Sequence, residues 1–148
     1  MKKFLAFCFA ILSTASLSLA AGTPETVFVD TYKKAFEGKD SATLESLLYT
    51  KGADPEALDF YKMMMTAEMG SKIEKIELRD LTADEKQKAI AEIPNPAGGK
   101  AKLPVTPTKK LVYSVKTEDA NGSSTSESES FVALVDGKYL IPVPATVK

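Results

Sequence analysis

Apolar and polar positions follow two different spacings along this chain, helical in its first half and alternating in its last third. Phe28, Tyr32 and Phe36 fall four residues apart, with Val29 and Ala35 beside them, and predict one apolar face of an amphipathic helix. Thr23-Pro24-Glu25 marks its start: a capping hydroxyl, a proline where the missing amide costs nothing, and an acid suited to the helix dipole. Gly38 marks its end. Asp40 or Ser41 caps a second, short helix whose Leu44, Leu47 and Leu48 continue the buried stripe. Asp54-Pro55-Glu56 repeats the start signal for a third helix. Leu58, Tyr61, Met65 and Met69 share its apolar face, and Gly70 ends it.

From Lys72 the spacing drops to two. Ile76 and Leu78 alternate with charged residues, which predicts a strand with one wet face, and the out-of-phase Ile73 marks a bulge or the strand entrance. Thr82-Ala83-Asp84-Glu85 is a capping-box pattern and predicts a short helix to about Ile90, before Pro94 and Pro96. Residues 94–108 are rich in Pro, Gly and Lys without periodicity, so a surface loop is expected there. Beyond it Leu111, Tyr113 and Val115 alternate with Val112, Ser114 and Lys116. A turn over Asp119 to Ser124, a return strand Thr125 to Val135, the hairpin signal Asp136-Gly137 and a last strand Lys138 to Val143 complete the pattern. Helices first and a meander afterwards define an α+β fold, with N-terminal helices packed on a curved, mainly antiparallel sheet.

Composition changes this picture chiefly at the N-terminus. Lys2 and Lys3, the apolar run Phe4 to Leu12 and the small residues around Ala20 and Ala21 read as a secretory signal peptide. The expected organisation is a signal peptide over 1–21 and one domain over 22–148. The protein is then exported, periplasmic or secreted, from a bacterium. Cys8, the single cysteine, leaves with the signal; bulky Phe7 precedes it where a lipoprotein signal has a small residue, so no stable membrane anchor is expected. The mature chain then carries 17 basic and 20 acidic residues and gives no electrostatic case for nucleic acid. It has neither His, Cys nor Trp. Ser-His and Cys-His nucleophile systems and tetrahedral Cys/His zinc sites are thereby excluded, and no disulfide can staple the fold. Asn121-Gly122-Ser123 fits a glycosylation sequon but reads first as a turn.

Two segments resemble a known superfamily. Thr23-Pro24-Glu25, Tyr32, Ala35-Phe36, Gly38, Asp40 and Leu47-Leu48 resemble the opening of the nuclear-transport-factor-2-like fold, and Phe131 to Ile141, through Asp136-Gly137-Lys138-Tyr139, resembles its closing hairpin. Within it, small secreted bacterial domains of unknown function are the most similar. The resemblance implies a cone of helices wrapped by a bent mixed sheet, with a pocket at the open end. The superfamily includes ketosteroid isomerase, and Tyr32 corresponds to the tyrosine that donates to the developing oxyanion there. The matching general base is not recoverable, because Asp54 is needed as a helix cap, and the dehydratases of the fold rely on a histidine that this chain lacks.

The expected function is a non-enzymatic binding or interaction domain, with no catalytic residues, no cofactor and no metal. Tyr32, Phe36, Tyr61, Met65 and Tyr113 are the candidate pocket-lining residues. Its partner would be a small apolar ligand, or a protein reached through the pocket or the exposed sheet face, a homodimer included. Two alternatives stand beside it: an isomerase- or lyase-like enzyme using Tyr32 as hydrogen-bond donor, and an accessory or immunity-type protein with a sheet-mediated interface. The methionine group Met63-Met64-Met65 with Met69 reads by default as core at Met65 and Met69 and rim at Met63 and Met64; flexible methionines lining an adaptable pocket or partner surface are the second reading, and a Cu(I) site would add histidine or a longer methionine repeat. Glu127 and Glu129, with Glu118 and Asp119, read as a solvated acidic strand face rather than a calcium loop. The pairs Lys33-Lys34 and Lys109-Lys110 read as wet surface.

Overall fold

The computed structural model describes residues 22–95, 98–120 and 122–147. The signal-peptide reading with Cys8, and Pro96 and Asn121 of the breaker and sequon readings, lie outside the described residues.

Helix α1 (Pro24–Glu37) starts where Thr23 caps it, the hydroxyl accepting from the Thr26 amide at 3.3 Å. It stops at Gly38, whose amide returns to the Lys34 carbonyl; a Cβ there would lie 2.8 Å from that oxygen, so only glycine fits. Asp40 caps α2 (Ser41–Ser46) by accepting from the Thr43 amide at 3.0 Å. Leu47 and Leu48 do not continue that helix. Leu48 opens the two-residue strand β1 (Leu48–Tyr49), which pairs in parallel with a strand from the far end of the chain. Asp54 caps α3 (Pro55–Thr66), which ends short of Met69. Thr66 folds its hydroxyl back onto the Lys62 and Met63 carbonyls at that end, and the chain turns through Gly70 at φ 88°.

Strand β2 (Lys72–Asp80) carries a register shift between Ile73 and Lys75, which turns Ile73 into the core. Helix α4 (Ala83–Ile90) follows with its capping box formed on both sides: Thr82 Oγ1 accepts from the Glu85 amide, and the Glu85 carboxylate accepts from the Thr82 amide. The expected featureless loop over 94–108 is in part a second, small sheet. In it β3 (Ile93–Pro94) pairs with β4 (Lys100–Lys102), and β4 with β8 (Ala145–Thr146). Strands this short have too few positions to show a period, but Ala101 is buried and half-alternates with exposed Lys100 and Lys102.

The main sheet has the order β1-β7-β6-β5-β2, where β5 is Lys109–Asp119, β6 Gly122–Val135 and β7 Lys138–Pro142. Only β1–β7 is parallel. The turn expected over Asp119 to Ser124 is tighter, because β5 and β6 stay paired as far as Asp119 and Gly122. The hydroxyl-rich run belongs to the ladder: Thr117 and Ser124 oxygens meet across it at 2.7 Å. Helix α1 lies against β2 and β7, and its Phe28, Tyr32 and Phe36 close the core over Leu111, Tyr113, Val115, Val132, Ile141 and Val143.

Lys109 and Lys110 are not the wet surface their sequence suggested. Lys109 bridges Glu25 of α1 and Asp80 at the end of β2, at 3.0 and 2.8 Å. Lys110 bridges Glu85 of α4 and Glu129 of β6, at 2.6 and 2.7 Å. Both stems are largely covered, and each ammonium ties two separate elements together.

Candidate functional site

Strand β6 is much longer than its neighbour β7. Their pairing covers only Ala133 to Val135, against Leu140 to Lys138. Continued in register, β7 would set Pro142 opposite Phe131 and Pro144 opposite Glu129, and a proline has no amide to give the ladder. The chain instead departs to β1, where Ile141 and Val143 donate to the Leu47 and Tyr49 carbonyls. From Gly122 to Phe131 the outer edge of β6 therefore has no strand beside it among the described residues.

Helix α3 faces that edge across a groove of about 560 Å³. Tyr32, Tyr61, Met65 and Tyr113 line it. The fifth candidate, Phe36, lies beneath as fully buried core, its ring stacked on Tyr32 with centroids 6.2 Å apart and edge-on to Tyr113 at 5.6 Å. Tyr32 and Tyr113 rings meet at 5.3 Å. Burial first, and then the neighbouring Tyr113 hydroxyl, push the Tyr32 phenol far above its ordinary value, so it is a neutral donor or acceptor at any working pH. Burial also raises Tyr61. The carboxylates of the groove are those of Glu68, Glu127 and Glu129, and Glu68 is engaged by Ser126.

Three lining features lie outside the five candidate pocket residues. Phe60 and Met64, 52% and 51% exposed, form an apolar rim on α3. Ser126, Ser128 and Ser130 line the opposite wall, opposite Val115, Tyr113 and Leu111 of β5 and thus on the inner face of β6. Their alternation with Glu127, Glu129 and Phe131 was the available signal: a strand whose inner positions are all hydroxyls leaves space where a core strand would fill it. Glu68, just past α3, closes one end and accepts from Ser126 Oγ through both oxygens at 3.1 Å.

Two other surface concavities differ in character. One of about 670 Å³ sits among Lys33, Lys72, Lys116, Glu74 and Glu118 and is lined mainly by charged side chains; one of about 530 Å³ lies beside Val27, Phe28 and Tyr139. Among the described residues no cluster of three His, Cys, Asp or Glu side chains could hold a metal, and no helix is long and apolar enough to cross a membrane.

The class defined by these features is an α+β domain with four helices among its described residues and a mixed, mostly antiparallel sheet, open along one strand edge. Comparison with family models, curated proteins and solved structures gives no match.

Proposed function

We propose that the chain is an exported, non-enzymatic binding domain of nuclear-transport-factor-2-like build, holding its ligand in the groove between α3 and β6. The observation that carries the reading is the lining itself. Tyr32, Tyr61, Tyr113 and Met65 form the floor, exposed Phe60 and Met64 form a rim, and serine hydroxyls form the far wall. Exposed aromatic and thioether side chains gathered beside convergent hydroxyls are the make-up of a recognition surface, whereas a core would have buried them. Support for the cone comes from the two resembling segments, which form α1 with α2 and the β6–β7 hairpin. Support for export is the charged, apolar and small-residue succession of Met1 to Ala21. The isomerase-like alternative has Tyr32 in the groove but no further observation in its favour.

Nile red, a neutral apolar dye, tests the groove. The mature protein is expected to enhance its fluorescence saturably, and Met64→Lys to weaken binding about tenfold, the effect of about 1.4 kcal/mol at the rim. Val27→Lys, on a separate apolar surface near Tyr139, should leave it unchanged. Saturable binding that ignores Met64→Lys, or none at all, overturns the reading. Export is checked by intact mass: the protein recovered outside the cytoplasm should begin near Ala21 or Gly22, and a species keeping Met1 would refute it.

A further inference from the structure

The open edge of β6 bears on what the groove takes. The main sheet has two long edges, and they are built differently. At β2 the edge is interrupted by the register shift at Ile73 and Lys75 and carries Lys72, Lys75, Glu77 and Arg79, the usual means of blocking a further strand. At β6 the run Gly122 to Phe131 has no proline, no lysine and no shift in register. By strand geometry, alternate amides and carbonyls along it point away from β5.

We propose that this edge receives an extended segment of a partner polypeptide, added as a sixth strand in line with β7, with apolar and basic side chains in alternation. The proposal rests on the groove reading above and names the class of ligand. Its inner-face side chains would stand opposite Ser126, Ser128 and Ser130, which are too small to fill the groove, and would reach Phe60 and Met64 across it. Its outer-face side chains would stand opposite Glu127 and Glu129, within the distance at which cross-strand charges pair. Among the described residues the groove lining includes Glu68, Glu127 and Glu129 and no basic side chain. Lys110 meets Glu129 from the β5 side and Arg79 lies within electrostatic reach of both strand acids, so these counter-charges come from within the sheet and not from its open edge. Five residues of strand, about 16 Å, span Ser126 to Ser130.

A second copy of this chain is the poorer occupant. Between Thr117 and Gly137 there is no Lys or Arg, so two β6 edges paired across a two-fold axis bring together hydroxyls and acids without a counter-charge.

The probe is a capped seven-residue peptide of alternating valine and lysine, titrated against the mature protein by fluorescence anisotropy. It is expected to bind at least tenfold more tightly than the valine–glutamate peptide of the same length. Methylating alternate backbone nitrogens should abolish binding, because the ladder then loses its donors. Glu127→Lys should weaken it about tenfold and Glu127→Gln less, both with unchanged circular dichroism. Hydrogen exchange should slow at residues 126–131 and not along β2. Equal binding of the acidic or methylated peptide, protection confined to β2, or a dimer by sedimentation that Glu127→Lys dissociates would each overturn the proposal. If the peptide fails while Nile red still binds through Met64, only this inference falls; if both fail, the groove reading falls with it.

Discussion

One carboxylate holds together parts of the chain that sequence separates widely. Asp54 is buried and accepts four hydrogen bonds: from the Glu56 and Ala57 amides at 3.0 and 3.2 Å, from Asn95 Nδ2 at 3.0 Å and from Thr146 Oγ1 at 2.9 Å. Asn95 first, then Thr146, then the Ala57 amide hold its carboxyl below the ordinary range. The helix α3 and the small sheet thus share one anion. Asp54→Ala should lower Tm by about 5 °C or more, and by more than Asp40→Ala, whose bonds stay within the first turn of α2. Thermal circular dichroism of the two variants checks this, and equal shifts would show that the long-range bonds add nothing. The cap was legible in Asp54-Pro55-Glu56, since capping is a local affair. Asn95 and Thr146 were not, lying 41 and 92 residues away with no spacing that links them to Asp54.

Among the elements, the helices were read well because their boundary signals are chemical and local. Thr23, Asp40, Asp54 and Thr82 each cap the helix they announce. The capping box of α4 shows where that legibility stops. Glu85 closes the box, yet its carboxylate also meets Lys110, and that side chain reads from sequence as one more surface lysine. Lys110 is the larger influence and the Thr82 amide the next, and together they bring Glu85 down from 4.5 to about 2. A folded-state value below the unfolded one contributes stability above about pH 4.5, which is lost as pH falls through about 2. Glu85→Gln should therefore lower Tm at neutral pH by a few degrees and flatten the acid decline between those two values. A Tm–pH profile parallel to that of the parent protein would show that the Glu85–Lys110 contact is not populated in solution. Ser123 and Ser124 fall in the turn expected over Asp119 to Ser124, because Ser and Gly favour turns until a cross-strand partner such as Thr117 claims them, whereas Ser126, Ser128 and Ser130 fall within the expected strand Thr125 to Val135.

At the scale of the molecule, the order of elements was legible and the pairing of strands was not. Strand β1 is two residues, Leu48 and Tyr49, and gains its identity only from Ile141 and Pro142 beside it. The last residues serve two sheets in succession: Lys138 to Pro142 lie between β6 and β1, and Ala145 to Thr146 complete the small sheet against Lys102 and Ala101. Two truncations should separate these roles. Ending the chain at Pro144 keeps β7, Val143 in the core and the bond from the Asp54 amide to the Pro144 carbonyl, while it removes β8 and the Thr146 hydroxyl. Its expected result is a folded domain with near-parent circular dichroism and fast hydrogen exchange confined to residues 93–102, the strand pair that lost its neighbour. Ending the chain at Leu140 also removes Ile141 and Val143, both fully buried, along with the whole β1–β7 pairing. Each such loss of a large aliphatic side chain is worth about 2–5 kcal/mol, so two together match the total stability of an ordinary small domain. That shorter chain should be unfolded by circular dichroism. A cooperative transition retained in it would mean that β1 and the end of β7 are an appendage to the core.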